Sequence, residues 1–367
     1  MRDLRWKLAA IAAAVIVAAC GGGGADGPSN KVSITSMVSF GDSLSDLGTY
    51  NVGSIAGLGA ATGGAGRWTV NGTTGGQVWT ERIAALLPVA TPCPAETGLS
   101  PNIPGFVGAA VMAKPGCTSY AQGSSRITSP LGPNAVALQA APFNQVTLGL
   151  TAKPVQAQMA AHLAAAGGSY TGHELVTILA GANDVFMELA FFGQPGGAAT
   201  PEAAVTNVAT AGATLGQLIK TQVVAKGARQ VLVLNLPDMA STPSATGQSV
   251  QTRGLIDAMV TAFNAQLAAQ LAGVPGVVVG DVYAESKAQI ANPAQYGLTN
   301  VTTPACGPNA LSSSPLTPGT SLVCNASNQI SGDVSHYFFA DDVHPTPYGH
   351  QLLSQFASKL MAQAGWL

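Results

Sequence analysis

Four short apolar runs punctuate the chain, over residues 32–40, 175–180, 230–236 and 276–282, each bounded by Gly, Pro, Asn or Asp. The first is rich in Val, Ile, Ser and Thr and runs into a turn, which predicts a strand; the other three predict buried strands. Between them, apolar residues recur at three- and four-residue spacing over 78–87, 155–166, 203–225, 254–271 and 347–364, which predicts helices. Strands alternating with helices imply an α/β protein with a parallel sheet covered on both faces. In such sheets ligands bind beyond the carboxyl ends of the strands, and Ser43, Asn183 and Asp238 all follow closely on predicted strands.

Two stretches break the pattern. Residues 88–118 and 291–333 have no clear period and are full of Pro, Gly, Ser and Asn, which predicts long loops. Cys93 and Cys117 flank or lie within the first, and Cys306 and Cys324 lie within the second. Four cysteines allow three pairings; the two local pairs would each staple one loop. Zinc is the rival use, and neither CxxC nor HExxH spacing occurs to support it, so no metal is expected. The rest reads as one domain over 31–367, with the two loops as insertions.

The first residues do not belong to that pattern. Arg2, Arg5 and Lys7 precede an unbroken apolar run from Leu8 to Ala19, the layout of a signal peptide over 1–19. Twelve residues rise about 18 Å as a helix, short of the roughly 30 Å of a bilayer's hydrocarbon core. Val17-Ala18-Ala19-Cys20 resembles the bacterial lipobox, in which the cysteine is lipidated, and the Gly-rich 20–30 stretch reads as a tether. Ordinary cleavage after Ala19 is the alternative. The expectation is export, with a lipid anchor in the bacterial outer membrane, or else a periplasmic or secreted protein; membrane contact would run only through that anchor.

Composition narrows the partners. Charged residues make up 9% of the 367-residue chain and the formal net charge is −2, so no basic surface of the kind that neutralises phosphates is expected, and nucleic acid is excluded as a partner.

Gly41-Asp42-Ser43-Leu44-Ser45-Asp46 turns sharply after the first strand and can present the Ser43 hydroxyl at the sheet's rim. A serine hydroxyl needs a base within hydrogen-bond reach and a third group to orient that base. Of five histidines, His162 and His350 sit within predicted helices and His173 stands before a strand, positions that suit structural roles. His336 and His344 each have an aspartate three residues upstream, Asp333 and Asp341, so spacing alone leaves both open. Asp341-Asp342-Val343-His344-Pro345-Thr346 joins an apolar run to the last helix, a rigid junction that favours His344, with His336 as rival. Backbone N–H groups of Ser43 and Gly123 and the Asn183 side chain are candidate oxyanion donors.

In this order, GDSLSD, the central Gly123, Gly181-Ala182-Asn183-Asp184 and the C-terminal DxxHPT resemble the four blocks of the SGNH (GDSL) hydrolases. Gly66-Arg67-Trp68, Asn71-Gly72 and Asn235-Leu236-Pro237-Asp238 are similar to segments of the GDSL lipase/esterase branch. The resemblance implies a three-layer α/β/α sandwich with a five-stranded parallel sheet, no cofactor, Ser43 as nucleophile, His344 as base, Asp341 as its partner, and an oxyanion hole of Ser43, Gly123 and Asn183. The surroundings of Gly123, Gln-Gly-Ser-Ser, depart most from the family pattern. No GxSxG elbow is present.

The expected activity is hydrolysis of a carboxylic ester through an acyl-enzyme, with lipid among the candidate substrates. Met187, Leu189, Phe191 and Phe192 follow Asn183, and Phe191 and Phe192 are the candidate acyl-binding residues. An O-acetylesterase acting on carbohydrate or cell-wall material, with the same fold, and a non-catalytic solute-binding lipoprotein are the competing expectations.

Overall fold

The computed structural model describes residues 32–72, 78–194, 197–312 and 319–367. The predicted leader, Cys20 and the tether lie outside the described residues. The first half runs β1 (Ser36–Gly41), α1 (Gly53–Thr62), α2 (Trp79–Ala84), β2 (Glu96–Leu99), β3 (Ala109–Ala113), α3 (Val155–Ala165) and β4 (Glu174–Leu179). The second runs α4 (Ala182–Ala190), α5 (Pro201–Leu218), β5 (Gln230–Leu234), α6 (Pro243–Thr246), α7 (Val250–Leu271), β6 (Val277–Gly280), α8 (Val282–Ala291) and α9 (Pro347–Gln363).

The strands β1-β4-β5-β6 form a parallel sheet in that order. Side chains alternate between its faces. Val38, Phe40, Val176, Ile178, Val231 and Val233 pack with residues of α3, α5 and α7, such as Met159, Leu215 and Phe263. Met37, Leu175, Leu179, Leu232 and Leu234 pack with Trp79 and Ile83 of α2 and Leu353, Ala357 and Met361 of α9. The result is the three-layer α/β/α arrangement. Fully burying one such side chain stabilises the fold by about 1.5–3 kcal/mol. Among the described residues no helix is long and apolar enough to cross a membrane.

Two expectations need correction. Among the described residues the sheet has four regular strands, one fewer than the family resemblance implies, within the expected α/β/α fold. On the free edge of β1, residues 118–122 make a short ladder: Ser39 donates to the Thr118 carbonyl at 3.0 Å, and Tyr120 and Gln122 donate to those of Ser39 and Gly41 at 2.7 and 3.2 Å. The segment stops there because Gln122–Ser125 closes into a turn, with Ser125 donating to Gln122 and Ser124 at φ +69°. The 88–118 loop, for its part, carries the antiparallel hairpin β2/β3. Val111 and Met112 of β3 are exposed, so no buried face marks the strand in the sequence.

Disulfides join Cys93 to Cys117 and Cys306 to Cys324, the local pairing.

Register levels the carboxyl ends of the sheet. Gly41 pairs with Leu179, Leu179 with Leu234, and Leu234 with Gly280. The segments that leave β1 and β4 therefore start side by side.

Candidate active site

β1 ends at Gly41 because the chain passes too close to β4 for a side chain: a Cβ there would lie 2.2 Å from the Leu179 carbonyl oxygen, and φ is +152°. Asp42 caps the next turn, its Oδ1 accepting from the Leu44 N–H at 3.1 Å, and Ser43 opens the short 3₁₀ turn Ser43–Ser45. Burial pushes the Asp42 carboxyl up to about 7, against the Leu44 hydrogen bond and the proximity of His344, which lower it.

The loop before α9 brings His344 to this turn. Its Nε2 lies 2.9 Å from Ser43 Oγ, and its Nδ1 lies 2.9 Å from both oxygens of Asp341. Asp341 also organises the loop itself, since Oδ1 accepts the backbone N–H groups of Val343 and His344 at 3.0 and 2.8 Å. Oδ2 accepts that of Ser321 at 2.8 Å. Burial alone would raise the Asp341 carboxyl; the His344 charge and hydrogen bond, with the Ser321 and Val343 N–H groups, outweigh it and hold the acid well below its ordinary value. A carboxylate on Nδ1 fixes the imidazole so that Nε2 can accept the proton of the Ser43 hydroxyl.

His336 is elsewhere. Its Nδ1 meets the Gly297 carbonyl at 2.7 Å and its ring stacks on Tyr348 at 4.2 Å between centroids, while Asp333 takes the Ser335 N–H and hydroxyl.

Asn183 stands in the first turn of α4, directly after β4. Gly181 makes the corner with φ +120°, where a Cβ would strike the Phe263 ring. One N–H of the Asn183 amide goes to the Ser125 carbonyl at 2.9 Å, which leaves the other free to donate. Asp184 accepts from Arg126 Nε at 3.1 Å and the Ile127 N–H at 3.0 Å, so α4 is tied to the 123–127 loop on two sides.

The Gly123 N–H, the third expected oxyanion donor, is engaged within the protein. It donates to Asp46 Oδ2 at 2.8 Å, because Asp46 is buried and needs donors for both oxygens; Oδ1 takes the N–H groups of Gly48 and Thr49. The Asp238 carboxyl accepts from the Ser241 hydroxyl of its own turn at 2.6 Å, and the Asp238 N–H donates to Ser286 Oγ at 2.9 Å. Of the residues after Asn183, Phe192 and Leu189 line a groove of about 1060 Å³ shared by α4, α5, α6 and α7. Phe191 instead packs on Phe143, 5.6 Å between ring centroids, and Met187 is buried.

A family profile described as GDSL-like lipase/acylhydrolase matches residues 37–356. The chain belongs to this family. Over 144 residues, 38% of this chain and 22% of the other, it is 31% identical to a Pseudomonas putida protein described as uncharacterized and lying in the trpE–trpG intergenic region. Over 140 residues, 35% of this chain and 37% of the other, it is 29% identical to a GDSL esterase/lipase of Arabidopsis thaliana. The chain thus spans about a fifth and a third of the length of these two relatives.

Three further side chains hold the site of this GDSL-like chain together. Gln158 of α3 clamps the end of β1: its Oε1 accepts the Gly41 N–H at 2.9 Å and its Nε2 donates to the Gly41 carbonyl at 2.8 Å. A readable signal existed, since Gln158 shares the buried helix face with Val155, Met159 and His162. Trp68 lies against the imidazole of His344, 5.0 Å between ring centroids at 34°, and Thr69 Oγ1 donates to the Pro345 carbonyl at 2.9 Å. The Gly66-Arg67-Trp68 segment thereby supports the histidine loop, a contact invisible in the sequence because 276 positions separate Thr69 from Pro345.

Proposed function

We propose that this chain is an exported serine esterase that hydrolyses carboxylic esters through an acyl-enzyme. The observation that carries the reading is the alignment of three groups: Ser43 Oγ 2.9 Å from His344 Nε2, with His344 Nδ1 on the Asp341 carboxylate. Membership of the GDSL-like lipase/acylhydrolase family supports the same reaction class.

Ser43 Oγ attacks the ester carbonyl while His344 Nε2 takes its proton. The C–O bond to the alcohol then breaks as His344 protonates the leaving oxygen. Water, deprotonated by the same imidazole, cleaves the acyl-enzyme and returns Ser43. Asp341 holds the tautomer and stabilises the imidazolium without accepting its proton. Charge on the carbonyl oxygen is met by the Ser43 N–H and the remaining N–H of Asn183.

The groove lined by Phe186, Leu189, Phe192, Val205, Met239 and Leu255 supports an apolar acyl chain as its occupant. It begins on α4, the helix that carries Asn183 in its first turn. Two disulfides support an oxidising compartment, and the leader with Cys20 supports a lipid anchor. A fluorophosphonate probe tests the nucleophile: it should modify the wild type at Ser43 and leave Ser43→Ala untouched. Modification at another residue would remove the assignment. Mass spectrometry of the mature N-terminus tests the anchor, with an unmodified Cys20 counting against it.

A further inference from the structure

Asp341 is oriented from two directions. Its Oδ1 is served by N–H groups of its own loop, at 343 and 344, whereas Oδ2 takes an N–H from a remote segment, that of Ser321 at 2.8 Å. Ser321 opens the turn Ser321–Val323, which Cys324 closes by donating to the Ser321 carbonyl at 3.1 Å. One turn cannot hold its own position, so what fixes it also fixes the donor to Asp341.

Two tethers do so. Cys324 is bonded to Cys306, and the Cys306 N–H donates to the carbonyl of Ala340, the residue before Asp341, at 2.8 Å. Asn71 supplies the other: its Nδ2 lies 2.9 and 3.1 Å from the Ser321 and Cys324 carbonyls, and its own N–H donates to Cys324 at 2.7 Å. The Arg67 and Thr69 carbonyls lie as near, at 2.9 and 3.0 Å, so the two amide hydrogens serve two of four acceptors at a time. Asn71 Oδ1 accepts from the Arg67 N–H at 2.9 Å, which anchors the amide to the segment under His344. Asn71, Cys306 and Cys324 are all buried.

We infer that Asn71 and the Cys306–Cys324 disulfide are positioning elements of the triad's acid, holding the Ser321 N–H on Asp341. The inference rests on the esterase reading for its kinetic consequence alone. Cys93–Cys117 provides the contrast. It braces the β2/β3 region, where Ser119 donates to the Cys93 carbonyl, on the other side of β1 from the sheet neighbours.

The experiment compares Cys306→Ala/Cys324→Ala, Cys93→Ala/Cys117→Ala and Asn71→Asp with the wild type. Asn71→Asp keeps the acceptor for Arg67 and the backbone N–H on Cys324, but its side chain cannot donate to the turn, and it serves if the first double variant fails to fold. Circular dichroism establishes that each variant is native at the assay temperature. Two readouts are taken: kcat and KM for p-nitrophenyl butyrate, and the low-field proton resonance of the His344 Nδ1–H. Loss of the 306–324 bridge, and Asn71→Asp, should lower kcat about 10- to 100-fold with KM little changed, as misplacement of a catalytic group does. Both should also shift or broaden the resonance, while loss of the 93–117 bridge leaves kcat and resonance alone. An unchanged kcat and resonance without the 306–324 bridge, or equal losses from both double variants, would overturn the inference. Should the wild type cleave no ester, the esterase reading fails and the resonance alone decides this one.

Discussion

Asp46 Oδ2 accepts the backbone N–H of Gly123 at 2.8 Å, across 77 positions of sequence. The contact joins the turn that carries Ser43 to the loop beside Asn183, and it commits a donor that the oxyanion would otherwise use. In the proposed esterase reading two donors remain, the Ser43 N–H and the Asn183 amide, and more of the stabilisation falls on Asn183. Asn183→Ala is expected to lower kcat on p-nitrophenyl butyrate by about 10²–10³-fold with KM little changed, the usual loss for one oxyanion donor. A fall of less than about tenfold would mean that Gly123 turns its N–H to the substrate after all.

Asp42 is expected to make stability fall with rising pH. Burial raises its native acid to about 7 from 3.8, so between those values the native protein keeps a proton that the unfolded chain has lost. Its contribution is therefore fully present below the unfolded value and is lost as pH rises through about 7. Asp42→Asn stays neutral throughout. Thermal unfolding should show this variant gaining several degrees relative to the wild type near pH 8 and losing that advantage near pH 4. A difference that does not change with pH would show that Asp42 is ionised in the native state.

Phe192 and Phe191 are neighbours with different surroundings, one in the groove beside Leu189 and Leu255 and the other on Phe143. Phe192→Ala should reduce kcat/KM for long-chain p-nitrophenyl esters by roughly 10-fold or more, in line with 1–3 kcal/mol per lost apolar contact, and leave the acetate ester unaffected. Phe191→Ala should leave chain-length preference as it is. Equal effects of the two substitutions would remove the groove from the substrate path.

Much of the scaffold was legible because burial on both faces leaves unbroken apolar runs, as in β4 and β5, where every residue is buried. Ser43 and His344 were legible through the turn and junction around them. Helix α1 was not: Gly53, Gly57 and Gly59 weaken helical propensity and hide its period. The start of α8 at Val282 was read as the end of a strand, because β6 gives way to it after Asp281 alone. Above all, the bonds that hold the site cross long stretches of chain. Asp46 on Gly123 and Ser321 on Asp341 leave no spacing to read, since each depends on how the layers pack, and the helical spacing that buries Gln158 does not name Gly41 as its partner.

The most direct test is p-nitrophenyl butyrate hydrolysis by wild type, Ser43→Ala, His344→Ala and His336→Ala. The first two substitutions should each remove activity by about 10⁴-fold or more, as in other hydrolases whose nucleophile or base is deleted. His336→Ala, changed only at its contacts with Gly297 and Tyr348, should keep it. An active His344→Ala enzyme, or a wild type inert on esters of every chain length, would contradict the account.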